Sequence, residues 1–299
     1  MTPERGEVPD PPTAPDTVQV MDTGAQPFLT RAARRQARET HGPDVELPPI
    51  AHVPRYLSLG ATVAAAVLVA VSSAAGPPVL VMATLLGSLI VAWGWPKAAG
   101  LPSPKGSAAV LAISSVLVIG LVAAVDTDPY LRWASAAVAL GLVTMFLHQL
   151  MRRDGRPRLT ESVMGISLGL VVLASGAAYL PLVHDEIGPQ LITCAMAAIA
   201  AGAAADLLVG MATVRPWLLP LAMVVGGLAS VIAALVLSAP AIPPAALIGV
   251  SAAALSHVAR RLLSPEAGSY SSQGQIATGL ASVAMVGALL WAIDMLVVR

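Results

Sequence analysis

Cysteine, phenylalanine and charge are scarce in this 299-residue chain. It has one cysteine, Cys194, and two phenylalanines, and charged residues make up only 11% of it. A lone cysteine cannot pair within the chain, which excludes a disulfide-built scaffold. The charged fraction is below half the roughly 25% of soluble domains. Beside 56% hydrophobic residues, it excludes a soluble globular protein and a chain disordered throughout. Basic and acidic residues number 17 each, so the net charge is zero and nucleic-acid binding has no electrostatic support. Several motifs of soluble enzymes are missing: no GxxxxGK(S/T), no HExxH and no CxxC. No ring of charges marks an ion channel.

Long apolar runs are abundant instead. Nine follow one another from Tyr56 onward, at 57–75, 77–95, 107–125, 130–150, 162–183, 188–211, 217–238, 243–262 and 275–297. At a rise of 1.5 Å per residue, about 20 residues cross the ~30 Å hydrocarbon core of a bilayer. The runs lack the alternation of barrel strands. The breaks between them hold proline, glycine or charge, among them Gly76-Pro77-Pro78, Pro96, Asp126–Pro129 and His184–Pro189. This pattern predicts an all-α, polytopic integral membrane protein with nine transmembrane helices and a disordered N-terminal tail. With the tail placed in the cytoplasm, fifteen of the 17 basic residues fall on the inner side, as the positive-inside rule requires. The expectation is a multi-pass protein of the cell (plasma) membrane, N-terminus cytoplasmic and C-terminus outside.

The domains are then a tail, 1–55, and a transmembrane domain, 56–299. Residues 1–50 hold eight of the 17 acidic residues and nine of the 25 prolines. Such a composition cannot bury enough apolar surface to offset the entropy of ordering. Within it, the basic segment 28–38 carries Arg31, Arg34, Arg35 and Arg38 at helical spacing on one face. It reads either as a short helix on anionic lipid or as a solvated basic run that sets topology. One Phe and one Leu add little insertion energy, which favours the second.

Ionisable residues within a span each need a reason. Asp206 lies near the end of the sixth run and His148 near the end of the fourth, while His257, Arg260 and Arg261 close the eighth, all at cytoplasmic depth. One reading is a shallow polar site for a phosphate or lipid headgroup, with these arginines and the loop residues Arg152 and Arg153 as anion partners. The other is snorkelling to the interface, which is favoured for His148, His257, Arg260 and Arg261 but does not dispose of Asp206. Gly165 with Gly169, and Gly226, Gly227 and Ser230, present small faces for close helix packing.

Near the C-terminus the chain reads Ser256-His257-Val258-Ala259-Arg260, Pro265-Glu266-Ala267-Gly268, Gln273-Gly274-Gln275-Ile276 and Thr278-Gly279-Leu280-Ala281-Ser282. This skeleton resembles the C-terminal signature of the phosphatidate cytidylyltransferases (CDP-diacylglycerol synthases). In that family a Ser, a Lys-Arg pair, a Lys-Asp pair, a Gly, a His-Gly-Gly and an Asp-Arg-x-Asp-Ser lead into the final helix. Ser256, Arg260, Gly268, Gly274 and Ser282 fall on the pattern, and Glu266 keeps an acid where the family has its first Asp. The family's metal-binding Asp-Arg-x-Asp is here Thr278-Gly279-Leu280-Ala281, and its His is Gln273. The resemblance implies a multi-helix fold, a headgroup site facing the cytoplasm and a homodimer.

Nucleotidyl transfer from CTP needs divalent metal on the triphosphate, and the two clustered carboxylates are gone. The expectation therefore leans away from an enzyme. It is a catalytically degenerate relative, without metal or cofactor, that binds anionic phospholipid or a partner protein at the inner leaflet. If catalysis survived on a rearranged metal site, Mg²⁺ would be its cofactor and Asp206 and Glu266 its candidates. A small-solute transporter working through Asp206 is the third reading.

Overall fold

Prolines set where several helices begin. Pro77 and Pro78, Pro104, Pro189 and Pro243 each occupy the first two positions of a helix. There a missing N–H has no intrahelical partner to lose, and φ is already helical. The structure, a computed structural model, describes residues 55–152 and 158–298. The tail candidates Arg31, Arg34, Arg35 and Arg38, the segment 28–38 and the loop residue Arg153 lie outside the described residues.

The helices are α1 Tyr56–Ala75, α2 Pro77–Ala98, α3 Pro104–Ala123, α4 Ala134–Met151 and α5 Leu159–Ala177, then α6 Gly188–Ala203, α7 Leu218–Leu237, α8 Ile242–Leu262, α9 Ser272–Ala284 and α10 Val286–Ile293. A short 3-10 stretch, Pro181–His184, prolongs the span of α5, another, Ala204–Gly210, prolongs that of α6, and a π-helical turn, Asp294–Val298, completes the last span after α9 and α10. Among the described residues nine stretches are long and apolar enough to cross a membrane. The protein is thus an all-α, nine-span polytopic membrane protein. The break between α1 and α2 is one residue, Gly76, at φ +110°, a value that L side chains resist.

Pro96 corrects an expectation. It does not end the second run, because α2 continues through it to Ala98. A proline this close to the helix end forfeits a single intrahelical hydrogen bond. The last turn is held by Ala99 N–H donating to Trp95 O and Leu101 N–H donating to Pro96 O, both at 2.8 Å.

The burial pattern inverts that of a soluble bundle. On α1 the buried residues are Ser58, Thr62, Ala66, Ser72 and Ser73, while Val67, Leu68 and Val71 face outward. On α7 the buried set includes Ala222, Gly226, Gly227, Ser230 and Ala234, with Val224, Leu228, Ile232 and Leu235 outside. In lipid no hydrophobic force separates the two faces. Small residues go inside because they let backbones approach and gain van der Waals contact. Several buried hydroxyls are satisfied at home: Thr62, Thr84, Ser114 and Ser115 each donate to the carbonyl four residues earlier.

Two groups of helices result. α6, α7 and α8 pack on one another, and α2 to α5 form the second group; α1 and α9 join them, α1 touching α6 and α9 lying against α1, α2, α5 and α8. The contacts are close. A Cβ on Gly226 would stand 2.3 Å from Ala253 Cβ, one on Gly94 would stand 2.5 Å from Ala277 Cβ, and one on Gly279 would stand 2.6 Å from the carbonyl of Ser58. The Gly165/Gly169 pair serves differently. It receives the side chains of Leu101, Leu111 and Trp95, whose Nε1 donates to Gly165 O at 2.9 Å.

These approaches predict a contrast between glycines. Gly279→Val forces α9 off α1 and should destabilise the protein by about 1–3 kcal/mol, the usual range for overpacking. Gly120→Ala, on an outward face where a Cβ meets nothing, should be neutral or stabilise by up to about 1 kcal/mol. Thermal midpoints in detergent, read by thiol-dye labelling of the buried Cys194, test both. Equal midpoints would refute the packing argument.

Candidate functional site

At the end of the bundle where α1 and α9 begin, α6 and α8 end. The α geometry of α6 stops at Ala203 and tightens into the 3-10 stretch Ala204–Gly210, a common way for a helix end to satisfy its last carbonyls. Asp206 sits on this stretch and not, as expected, on the α-helix itself. Opposite it, α8 offers Arg260 with His257 and Ser256 three and four residues before it, each within reach of the arginine along the helix surface.

The geometry is tight. Arg260 Nε donates to Asp206 Oδ2 at 2.6 Å, and His257 Nδ1 lies 2.8 Å from Asp206 Oδ1. Arg260 Nη1 donates to Ser256 Oγ at 2.6 Å and to Ser282 Oγ, on α9, at 3.3 Å. Ser256 Oγ donates to Ser282 Oγ at 3.2 Å, and Ser282 in turn donates to Gly279 O at 2.7 Å. Thr62 Oγ1 of α1 closes the chain, 3.5 Å from Ser282 Oγ. The side chains of His257 and Arg260 are 5% exposed and that of Asp206 is 21% exposed. The snorkelling expected of His257 and Arg260 is therefore wrong. Both turn inward, because an acceptor waits there and a buried charge must be paired.

Arg55, Ser58, Leu59, Val209, Arg261 and Ser264 complete the wall of a small polar pocket beside Asp206 and Arg260, about 40 Å³ in volume. Arg55 hydrogen-bonds the Ser264 carbonyl through Nη2 and lies 4.5 Å above the Tyr270 ring. Asp206, Arg215 and Arg55 all act electrostatically on Arg261. Three arginines and one carboxylate line this pocket. Arg260 Nη2 is buried without a hydrogen-bond partner among the described residues.

The other expected residues are elsewhere. His148 lies over Gly106 of α3, so close that a Cβ there would meet its imidazole at 2.0 Å. Arg152 Nη1 donates to Gln149 Oε1 at 3.1 Å, and Gln149 Nε2 to Ser162 Oγ at 2.7 Å. His148 and Gln149 belong to α4, which packs on α3 and α5, and Arg152 follows its last residue. Glu266 is exposed, its Oε2 beside Gly100. The structure thus brings together Asp206, His257, Arg260 and Arg261, and leaves His148, Arg152 and Glu266 apart. Of the signature-like residues, Ser256, Arg260 and Ser282 meet, and Gly268 packs against the Lys97 carbonyl.

The donor set does not fit a divalent metal. Both oxygens of Asp206 face cationic or N–H partners, and no group of three His, Cys, Asp or Glu side chains among the described residues could hold an ion. Reading the sequence missed Arg55, Ser58 and Thr62 as a group. Their signal was their spacing, which puts all three on one helix face. No protein-family model, curated protein or solved structure matches this chain.

Breaking the pair leaves a buried cation. Asp206→Asn should destabilise the protein by about 3 kcal/mol, and adding Arg260→Gln should recover much of that loss. Thermal midpoints of the two single variants and the double variant give the coupling. Additive losses would mean that the two side chains do not depend on each other.

Proposed function

We propose that the protein binds an anionic phospholipid headgroup at this corner, on the cytoplasmic face of the membrane, as a catalytically silent relative of the phosphatidate cytidylyltransferases. The observation that carries this reading is the convergence of Arg55, Arg260 and Arg261 on one small polar pocket at the end of the spans. Asp206 holds Arg260 in place, and Arg55 and Arg261 flank it as the side chains that would meet the headgroup. The basic bias of the sequence supports placing this end in the cytoplasm, where anionic lipid is the abundant anion.

The family part of the reading rests on the resemblance at Ser256, Arg260, Gly268, Gly274 and Ser282. Its silent character rests on the donor set: a carboxylate committed to His257 and Arg260 has no oxygen to spare for Mg²⁺. The homodimer that the resemblance implies belongs to the same proposal. Transport through Asp206 finds less support, since the residue sits at the end of its span whereas transporter sites lie near the midplane.

Lipids that co-purify in mild detergent, quantified by mass spectrometry, test the headgroup reading. The parent protein should be enriched in anionic phospholipid over the bulk membrane. Arg55→Gln with Arg261→Gln removes two charges at about 1 kcal/mol each, so the enrichment should fall by up to roughly 30-fold. A lipid profile equal to the bulk membrane in both proteins would reject the proposal.

A further inference from the structure

A second concavity begins on the neighbouring face of the same helical turn. Arg55, Ser58 and Leu59 line the polar corner, whereas Tyr56, Leu57 and Gly60 open an apolar groove of about 440 Å³. Along α1 it continues past Ala64 to Leu68 and Val69, with α2 and α9 as its other walls. Tyr179 lines it at the level of Val69, fixed there by a 2.7 Å hydrogen bond from its hydroxyl to Val283 O.

Two glycines give the groove its depth. A Cβ on Gly60 or on Gly87 would meet nothing within 4 Å. Neighbouring glycines on the helices that wall it are different: Gly94 and Gly279 are pinned by another helix. Glycine in a helix costs up to about 1 kcal/mol relative to alanine, and at positions 60 and 87 no backbone contact requires it. The space itself is what these glycines provide.

The dimensions select the occupant. From Tyr56 to Val69 is about 20 Å of helix. Spread over that length, about 440 Å³ makes a long, shallow groove with an almost wholly apolar lining. An extended hydrocarbon chain suits that shape and lining, and the groove begins one residue from the polar corner. Two polar side chains of the lining are satisfied within the protein: Thr84 donates to Leu80 O at 2.7 Å, and Tyr179 donates to Val283 O.

We infer that this groove seats one acyl chain of a bilayer phospholipid whose headgroup lies at the Arg55–Arg261 corner, so that the first turn of α1 separates head from chain. The inference deepens the headgroup proposal and rests on it for the identity of the head.

Photo-crosslinking in nanodiscs tests the two parts separately. The probes are an anionic phospholipid and phosphatidylcholine, each carrying the same mid-chain diazirine. With the parent protein, adducts from the anionic probe should concentrate on groove-lining peptides of α1, α2 and α9. Gly60→Leu and Gly87→Leu, which fill the groove where there is room for a side chain, should each reduce those adducts at least fivefold while the thermal midpoint and the anionic enrichment of co-purified lipid hold. Phosphatidylcholine labelling the groove as strongly as the anionic probe would keep the chain seat and overturn the headgroup assignment. Adducts spread evenly over all lipid-facing helices, or unchanged in both leucine variants, would overturn the chain seat even if the headgroup enrichment persisted.

Discussion

A charge within a membrane protein must be matched where it sits, and the pairing of Asp206 with Arg260 and His257 meets that demand. Asp206 belongs to the 3-10 extension of α6, and Arg260 and His257 belong to α8. Through Ser256 and Ser282 the same guanidinium reaches α9, and through Ser282 the network comes to Thr62 on α1. Four of the spans, the first, sixth, eighth and ninth, are thus registered by one set of contacts. In a low-dielectric interior such contacts constrain geometry more than they add stability, because the desolvation of both charges offsets much of their attraction.

The rest of the bundle accommodates this network by being small on the inside. Ala253 packs where α7 has only glycine, and Ser58 offers its carbonyl where α9 has only Gly279. Bulky residues at those interfaces would hold the helices apart and pull α8 and α9 beyond hydrogen-bonding reach. The small-residue faces and the polar corner are therefore one design: close approach delivers the hydroxyls, and the hydroxyls orient the arginine.

The nine spans were legible because each is a continuous apolar run bounded by proline, glycine or charge. Those signals act locally and do not depend on which helix is next to which. Pro96 misled because the effect of a proline depends on how much helix follows it. The inward turn of Arg260 was harder to read, since snorkelling and pairing use the same residue at the same depth and differ only in the rotation of α8. A clue was present: Gly249, Ala253, Ser256 and Arg260 follow one another at steps of four, three and four, so the arginine lies on the small-residue stripe that packs inward. Arg55 was counted only as positive charge beside the first span. Its place in the corner depends on α1 lying against α9, a long-range fact that no local pattern carries.

The two ends of the described bundle are chemically unlike. One gathers guanidinium groups around a carboxylate, and the other stacks Tyr130 on His184 with centroids 4.2 Å apart, beside the acidic Asp126. Nine crossings also leave the first and last described spans emerging on opposite faces. The molecule is vectorial by construction: turned over in the bilayer, it would present a different surface to each compartment.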